Sequence, residues 1–107
     1  MDVADWGSFL ELVEVNFKEQ RRVSFYADQL NMTTKKLETL CKLNGGMTVF
    51  NCIMSRVLKE AEFLLLYSEM ELKEIGYELG FSQQAHLNNF FKQQRRITPG
   101  DFRKGNS

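Results

Sequence analysis

The sequence repeats itself at a spacing of 49 to 50 residues, and this repeat limits what the chain can fold into more than any other feature. Leu30-Asn31-Met32-Thr33 aligns with Leu79-Gly80-Phe81-Ser82, and Ala27 aligns with Gly76. Two helices that cross closely need a small residue at such a point. The similarity continues in Leu37 and Leu87, Cys41 and Phe91, Lys42 and Lys92, and Met47-Thr48 and Ile97-Thr98. Each copy therefore predicts a short helix, a tight turn and a second helix, which together make a helix-turn-helix unit.

Apolar periodicity and capping residues predict an all-α fold of about seven helices. The residues expected at helix starts are Ser8, Ser24, Thr33, Thr48, Ser82 and, before Pro99, Thr98. Gly45-Gly46 is expected to end the third helix, because glycine adopts the left-handed backbone that terminates helices. We predict one domain over 1–107, with helix-turn-helix subdomains at about 8–46 and 71–104 joined by a long connecting helix at about 48–68.

The charge of the chain is zero overall but unevenly distributed. A strongly basic domain is the usual footprint of nucleic-acid binding, so 14 basic and 14 acidic residues argue weakly against it. However, the acidic excess lies in segments 1–17 and 56–78, whereas the basic excess lies in segments 18–55 and 79–107. The positive charge is therefore concentrated in the two predicted helix-turn-helix units.

Several classes of protein are disfavoured by what the sequence lacks. One histidine without a nucleophile pattern or a glycine-rich phosphate loop argues against an enzyme, and no cofactor or metal site is expected. Cys41 and Cys52 fit no metal-binding spacing, so we expect two buried thiols in a reducing cytosol, with a disulfide or redox switch as the alternative. No apolar stretch is long enough for a membrane span and no signal peptide is evident, which predicts a cytoplasmic protein.

The second helix of each repeat carries side chains that suit base recognition. Gln and Asn can make paired hydrogen bonds to adenine, and Lys can reach the acceptors of guanine. A merely solvated helix would more often carry Glu and Lys at helical pair spacing. Two unrelated helical hairpins that simply pack together remain the alternative at this point, because such hairpins are common.

The stretch from Glu71 to Arg103 resembles the AraC/XylS family of transcription regulators. The motifs that carry the resemblance are Ile75-Gly76, Gly80-Phe81-Ser82, Phe91-Lys92, Thr98-Pro99 and Phe102-Arg103, in this order and spacing. The first repeat matches more loosely, and the resemblance extends over about residues 8–104. It implies a DNA-binding module. Family members usually join it to a sensing or dimerisation domain, so we expect a piece of a longer regulator that lacks its N-terminal domain.

Three departures from the family pattern carry expectations of their own. Cys41 replaces a usual aromatic residue, which predicts a smaller core contact in the first unit. Arg96 replaces a usual glycine, so the sixth helix is expected to end differently. Val57 stands where many members have an arginine, and the adjacent Arg56 points about 100° away on a helix.

The resemblance implies that the second helix of each unit enters the major groove. A connecting helix of about 20 residues is about 30 Å long, close to the roughly 34 Å between successive major grooves on one DNA face. One monomer would then cover an asymmetric double-stranded site of about 20 base pairs. The candidate base contacts are Lys35, Glu38, Thr39, Gln83, Gln84, His86, Asn88 and Asn89. The candidate phosphate contacts are Thr33, Lys36, Lys42, Arg56, Ser82, Lys92, Arg95 and Arg103.

Alternative roles exist for two of these candidates and for the domain. His86 is also consistent with a partly exposed helix residue without a function, and Arg103 with a partner for an acid that fixes the last helix. The acidic segments 1–17 and 56–78 are consistent with a helical protein-interaction module, for example one that contacts RNA polymerase.

Overall fold

The computed structural model describes residues 3–105, and every regular element in that range is an α-helix. The helices are α1 (Val3–Asn16), α2 (Val23–Gln29), α3 (Thr34–Gly45), α4 (Val49–Tyr67), α5 (Leu72–Glu78), α6 (Gln84–Arg95) and α7 (Pro99–Gly105). The predicted all-α class with about seven helices is confirmed. The chain divides into two compact units, and the boundary falls inside α4, between Arg56 and Val57. Unit 1 ends at Arg56, and unit 2 begins at Val57.

The tight turn has the same backbone geometry in both units. In unit 1 the Met32 amide donates to the Ala27 carbonyl at 3.0 Å, and Asn31 adopts a φ of 55°. In unit 2 the Phe81 amide donates to the Gly76 carbonyl at 2.9 Å, and Gly80 has a φ of 89°. Asparagine and glycine are the residues that most readily adopt this left-handed conformation. The internal repeat is thus a repeat of structure as well as of sequence.

Helices α3 and α6 also end in the same way. Each has 12 residues and is followed by a left-handed residue, Gly46 with a φ of 70° and Arg96 with a φ of 68°. The amides of these residues donate to the backbone carbonyls of Lys42 and Lys92, at 3.1 and 2.7 Å respectively. The expectation that Arg96 would change the end of the sixth helix is therefore wrong. The arginine is held in a conformation that suits glycine.

Three predicted capping threonines accept a hydrogen bond from the first turn of their helix. Thr33 accepts from the Lys36 amide at 3.0 Å, at the start of α3. Thr48 and Thr98 each accept at 3.1 Å from the amide three residues later, at the starts of α4 and α7. These bonds satisfy amides that have no carbonyl partner within the helix. The predictions at these helix starts are confirmed.

Three other predicted helix starts are wrong. Helix α1 begins at Val3 and α2 at Val23, so Ser8 and Ser24 both lie inside helices. The first turns of the longer α1 include a ring contact, in which Trp6 stacks on Phe9 at 5.7 Å. The N-cap of α6 is Gln83, so Ser82 is one residue too early. The second turn has one residue more than the first, and the Ser82 hydroxyl lies 3.2 Å from Nδ1 of His86.

One pair of core positions is filled differently in the two units. In unit 2 the rings of Phe91 and Phe102 meet edge to face at 5.2 Å. The equivalent residues of unit 1, 50 positions earlier, are Cys41 and Cys52, two free thiols that lie near each other. Burial raises the pKa of the Cys41 thiol to about 12.

Near Cys52, α1 contributes the ring of Trp6. A Cβ atom at Gly45 would lie 2.8 Å from Cη2 of Trp6 and 3.3 Å from Sγ of Cys52, so only glycine fits there without movement. Trp6 therefore packs against the end of α3, beside the thiol pair. Cys41 itself is buried, and the smaller core contact expected at this position stays a prediction.

Candidate nucleic-acid interface

The outer face of α3 is basic. Lys35, Lys36, Thr39 and Lys42 are all exposed, and positions 35, 39 and 42 share one face because they are four and then three residues apart. The Thr39 hydroxyl donates to the Lys35 carbonyl at 3.1 Å. Lysine ammonium groups are therefore the main hydrogen-bond donors that this face offers to a ligand.

The outer face of α6 is rich in amides. His86, Asn89 and Lys92 are exposed, as is the capping residue Gln83, whereas Gln84 is half-buried. The contact between Ser82 and His86 orients the imidazole at the start of this helix. The face offers both donors and acceptors, because an amide side chain carries an NH₂ group and a carbonyl oxygen.

The two helices correspond position by position, with a constant offset of 50 residues. The offset follows from their ends, because the N-caps are Thr33 and Gln83 and the left-handed C-caps are Gly46 and Arg96. Each exposed position of α3 therefore has one counterpart on α6. The counterparts Lys42 and Lys92 are identical, whereas most of the other exposed pairs differ.

Glu38, a predicted base contact, is directed towards the next helix. Its carboxylate oxygen accepts from the Val49 amide at 2.9 Å, so it caps the start of α4. Its counterpart is Asn88, whose Oδ1 is buried without a hydrogen-bond partner. The residue equivalent to Val49 is Pro99, which has no amide hydrogen to give. The structure thus assigns Glu38 an internal role and keeps the carbonyl oxygen of Asn88 away from solvent.

Two predicted phosphate contacts are paired with acids of their own unit. The guanidinium of Arg56 makes two hydrogen bonds to the Glu14 carboxylate, at 2.6 and 2.9 Å, and lies 4.3 Å from the centre of the Phe17 ring. Arg95 forms an ion pair with Glu62. Both arginines would have to exchange these partners to reach a phosphate.

Arg103 is bound to backbone carbonyl groups. Its guanidinium donates four hydrogen bonds of 2.7–3.2 Å to the carbonyl oxygens of Leu64, Leu65, Ser68 and Met70. These groups belong to the last turn of α4 and the loop that follows, where the carbonyls of a helix end need partners from outside the helix. The alternative considered from the sequence, a role in fixing the last helix, agrees with this arrangement, although the partners are carbonyls and not an acid.

Ala85 is an exposed position on α6 that the candidates from the sequence do not include. Ala85 is the counterpart of Lys35, and it is exposed beside Asn89 on the same face. An alanine has no hydrogen-bonding side chain, so its residue type gives no signal for base recognition. The repeat would have drawn attention to it, since any residue aligned with a candidate is itself a candidate.

The described residues show no sign of two other kinds of site. Between residues 3 and 105, no group of three or more His, Cys, Asp and Glu side chains is placed to hold a metal ion. Over the same range, none of the helices combines the length and the apolar character that a membrane crossing needs.

Comparison with known proteins gives a consistent match. A family model described as a helix-turn-helix domain matches residues 26–105. The chain is 28% identical over 96 residues to the HTH-type transcriptional activator RhaS of Escherichia coli. The match covers 90% of this chain and 34% of RhaS, so the chain spans about a third of the length of the curated relatives it matches.

Solved structures share the fold. One is a transcriptional regulator from Chromobacterium violaceum, described among AraC-type DNA-binding domain-containing proteins, with a TM-score of 0.89, 23% identity and coverage of 97% of this chain and 93% of that chain. Another is the DNA-binding domain of AdpA, a global transcriptional factor, in complex with a target DNA. It has a TM-score of 0.85, 18% identity and coverage of 92% and 89%.

Proposed function

Because the chain belongs to the helix-turn-helix domain family and is an AraC-type DNA-binding domain, we propose that it reads double-stranded DNA with α3 and α6 as recognition helices. It is a DNA-binding domain of a transcription regulator and not an enzyme. The observation that carries the proposal is the equivalence of α3 and α6, which present exposed faces suited to bases and phosphates at matching positions. Two tandem units in one chain can read an asymmetric site without needing the two-fold axis of a dimer, and an asymmetric site is the one we propose. We expect it to span about 20 base pairs, with α3 and α6 in successive major grooves.

The proposed contacts are a reduced form of the set expected from the sequence. Base contacts are assigned to Lys35, Thr39, Gln83, Gln84, His86 and Asn89. Phosphate contacts are assigned to Thr33, Lys36, Lys42, Ser82 and Lys92. We leave out Asn88, whose Oδ1 is buried, and Glu38, Arg56, Arg95 and Arg103, whose charged groups are bound within their own unit.

A pair of single substitutions tests these contacts. Lys92→Ala should weaken binding to all sequences alike and lower the slope of log K against log salt by about one unit. Gln84→Ala should weaken specific binding by about 1–3 kcal/mol and relax the preference at one base pair. Lys59→Ala, at an exposed position of α4, is the matched control and should leave both quantities unchanged. If Lys92→Ala leaves the slope unchanged, or Gln84→Ala leaves the base preference unchanged, that contact is wrongly assigned.

For the whole protein we propose a longer cytoplasmic transcription regulator with an N-terminal sensing or dimerisation domain. The support is that RhaS is named a transcriptional activator and that this chain matches only 34% of its length. Identification of the parent reading frame tests this proposal. A reading frame without such a domain would contradict it.

An exposed aromatic patch favours a second role in protein contact. Phe63 and Tyr67 of α4 are 55% and 75% exposed, and their rings lie 5.3 Å apart. They belong to the acidic segment 56–78, and RNA polymerase is the partner we propose for this surface. A gel-shift titration across salt concentrations separates the two roles. No shift even at low salt would leave only the protein-binding one.

A further inference from the structure

We propose that the two recognition helices read half-sites of different base composition, α3 a guanine-containing one and α6 an adenine- and thymine-containing one. This inference rests on the proposed function, because it assumes that both helices enter the major groove. Its basis is the position-by-position equivalence of α3 and α6. Side chains at matching positions of two equivalent helices meet the base pairs in matching ways, so a difference in chemistry becomes a difference in sequence preference.

Comparison of α3 with α6 first excludes the positions that cannot give the two helices different base preferences. Positions 38 and 88 are half-buried, and Glu38 is bound to the amide of Val49. Positions 42 and 92 are both lysine and cannot distinguish the half-sites. On the face that runs through position 42, this leaves the exposed pairs 35/85 and 39/89.

On α3, the two remaining positions carry Lys35 and Thr39, and Lys35 is the stronger hydrogen-bond donor. An ammonium group has three donors and no acceptor. In the major groove, guanine presents two adjacent acceptors, N7 and O6, which match such a donor. The hydroxyl hydrogen of Thr39 is already directed to the Lys35 carbonyl at 3.1 Å, so Thr39 has less to offer a base. Guanine is therefore the base that this face of α3 recognises best.

On α6, the same two positions carry Ala85 and Asn89. The asparagine amide can both accept from N6 and donate to N7 of adenine, and a methyl side chain packs against the methyl group of thymine. Neither residue offers the charged donor that Lys35 supplies. Ala85 thus becomes a specificity-determining residue, through its small apolar side chain.

Selection from a randomised duplex library tests the inference directly. We expect sites selected by the chain to enrich guanine in one half and A·T pairs in the other. Lys35→Ala should abolish the guanine preference at one position and raise Kd at least about fivefold, leaving the other half unchanged. The reciprocal variant Ala85→Lys should create a new guanine preference in the A·T half. Asn89→Ala should flatten the adenine preference.

The controls distinguish this inference from the proposed function. Positions 35, 85 and 89 are exposed, so thermal unfolding of each variant should match that of the parent chain, and Lys59→Ala should select the parent site. If Lys35→Ala keeps the base preference of the parent chain while weakening binding to all sequences alike, Lys35 binds phosphate. The inference then fails, whereas the proposed function stands. The same holds if both halves of the site have one composition that no variant shifts. If the parent chain enriches no sequence even at low salt, the proposed function itself fails.

Discussion

At the scale of the residue, Arg96 is held in a backbone conformation that its counterpart Gly46 adopts freely. Their φ angles are 68° and 70°, so the requirement on the backbone is the same. A residue with a Cβ is strained in this region by about 1–2 kcal/mol. Replacement by glycine removes this strain, but it also gives the unfolded chain more conformational freedom, which offsets part of the gain in stability. We predict that Arg96→Gly raises the free energy of unfolding by about 1 kcal/mol, measured by urea denaturation.

The internal repeat supplies the matched control for this prediction. Gly46→Arg places the strained residue at the equivalent position of unit 1, where a Cβ atom would meet nothing within 4 Å. Its effect should therefore come from the backbone alone and lower the stability by a similar amount. An Arg96→Gly variant no more stable than the parent chain would show that Arg96 is not strained.

Cys41 is buried and Cys52 is only partly buried, so the expectation of two buried thiols holds for the first alone, and this thiol pair predicts a dependence of stability on pH. Burial raises the pKa of Cys41 from 9.0 to about 12, and it raises that of Cys52 as well. Above pH 9 the unfolded thiols lose their protons while the folded Cys41 keeps its own, so the free energy of unfolding should fall as pH rises towards 12. The fall should be at most about 1.4 kcal/mol per pH unit for each thiol. Below pH 9 the thiols should have no effect.

The Cys41→Ser variant isolates this effect, because serine does not titrate in this range. Its stability should fall less steeply between pH 9 and 10 than that of the parent chain, whatever its stability at neutral pH. Above pH 10, Tyr26 adds to the fall in both proteins, since burial raises its pKa to about 12. Parallel curves for parent and variant between pH 9 and 10 would contradict the assignment to Cys41.

The internal roles of several residues could not be predicted from the sequence. Glu38 caps a helix that begins 11 residues later, and Arg103 binds carbonyls 33 to 39 residues earlier in the chain. A residue type indicates what a side chain can bind, but not which partner the fold brings to it. The surface lysines of α3 were predictable as exposed residues, because their positions follow from helical periodicity alone.

At the scale of the element, Arg103 ties α7 to the end of α4. We predict that Arg103→Lys lowers the free energy of unfolding by about 2 kcal/mol, because an ammonium group cannot reach four carbonyl oxygens that a planar guanidinium spans. Charge is retained, so the salt dependence of DNA binding should stay the same. Urea denaturation and a salt titration measure the two effects. Unchanged stability would contradict the assignment of Arg103 as the residue that fixes α7 to the end of α4.

The repeat predicted which helices and turns form better than it predicted the residue at which each helix begins. It located both turns, and glycine or threonine signals located the ends of α3 and the starts of α4 and α7. The predictions at Ser8, Ser24 and Ser82 are wrong, because a serine is compatible with a helix start without requiring one. Near the first of these, Trp6 stacks on Phe9 within α1, and such a contact is not visible in local propensity.

At the scale of the whole molecule, a net charge of zero coexists with basic recognition helices. The acidic residues are concentrated before residue 18 and between residues 56 and 78. Two of the arginines predicted to bind phosphate are paired with acids, which reduces the positive charge available to DNA. We therefore predict that the affinity for DNA falls less steeply with salt concentration than the number of basic residues would suggest. Lys36, Lys42 and Lys92 should account for most of this salt dependence.

A single titration tests most directly whether both helices read one DNA site. The chain is titrated into a duplex that carries its selected site and into duplexes with either half scrambled, at 50–200 mM salt. We predict one chain per duplex and at least about a tenfold loss of affinity when either half is scrambled. Two chains per duplex, or a half-site that can be scrambled without loss, would contradict the assignment of α3 and α6 as paired recognition helices.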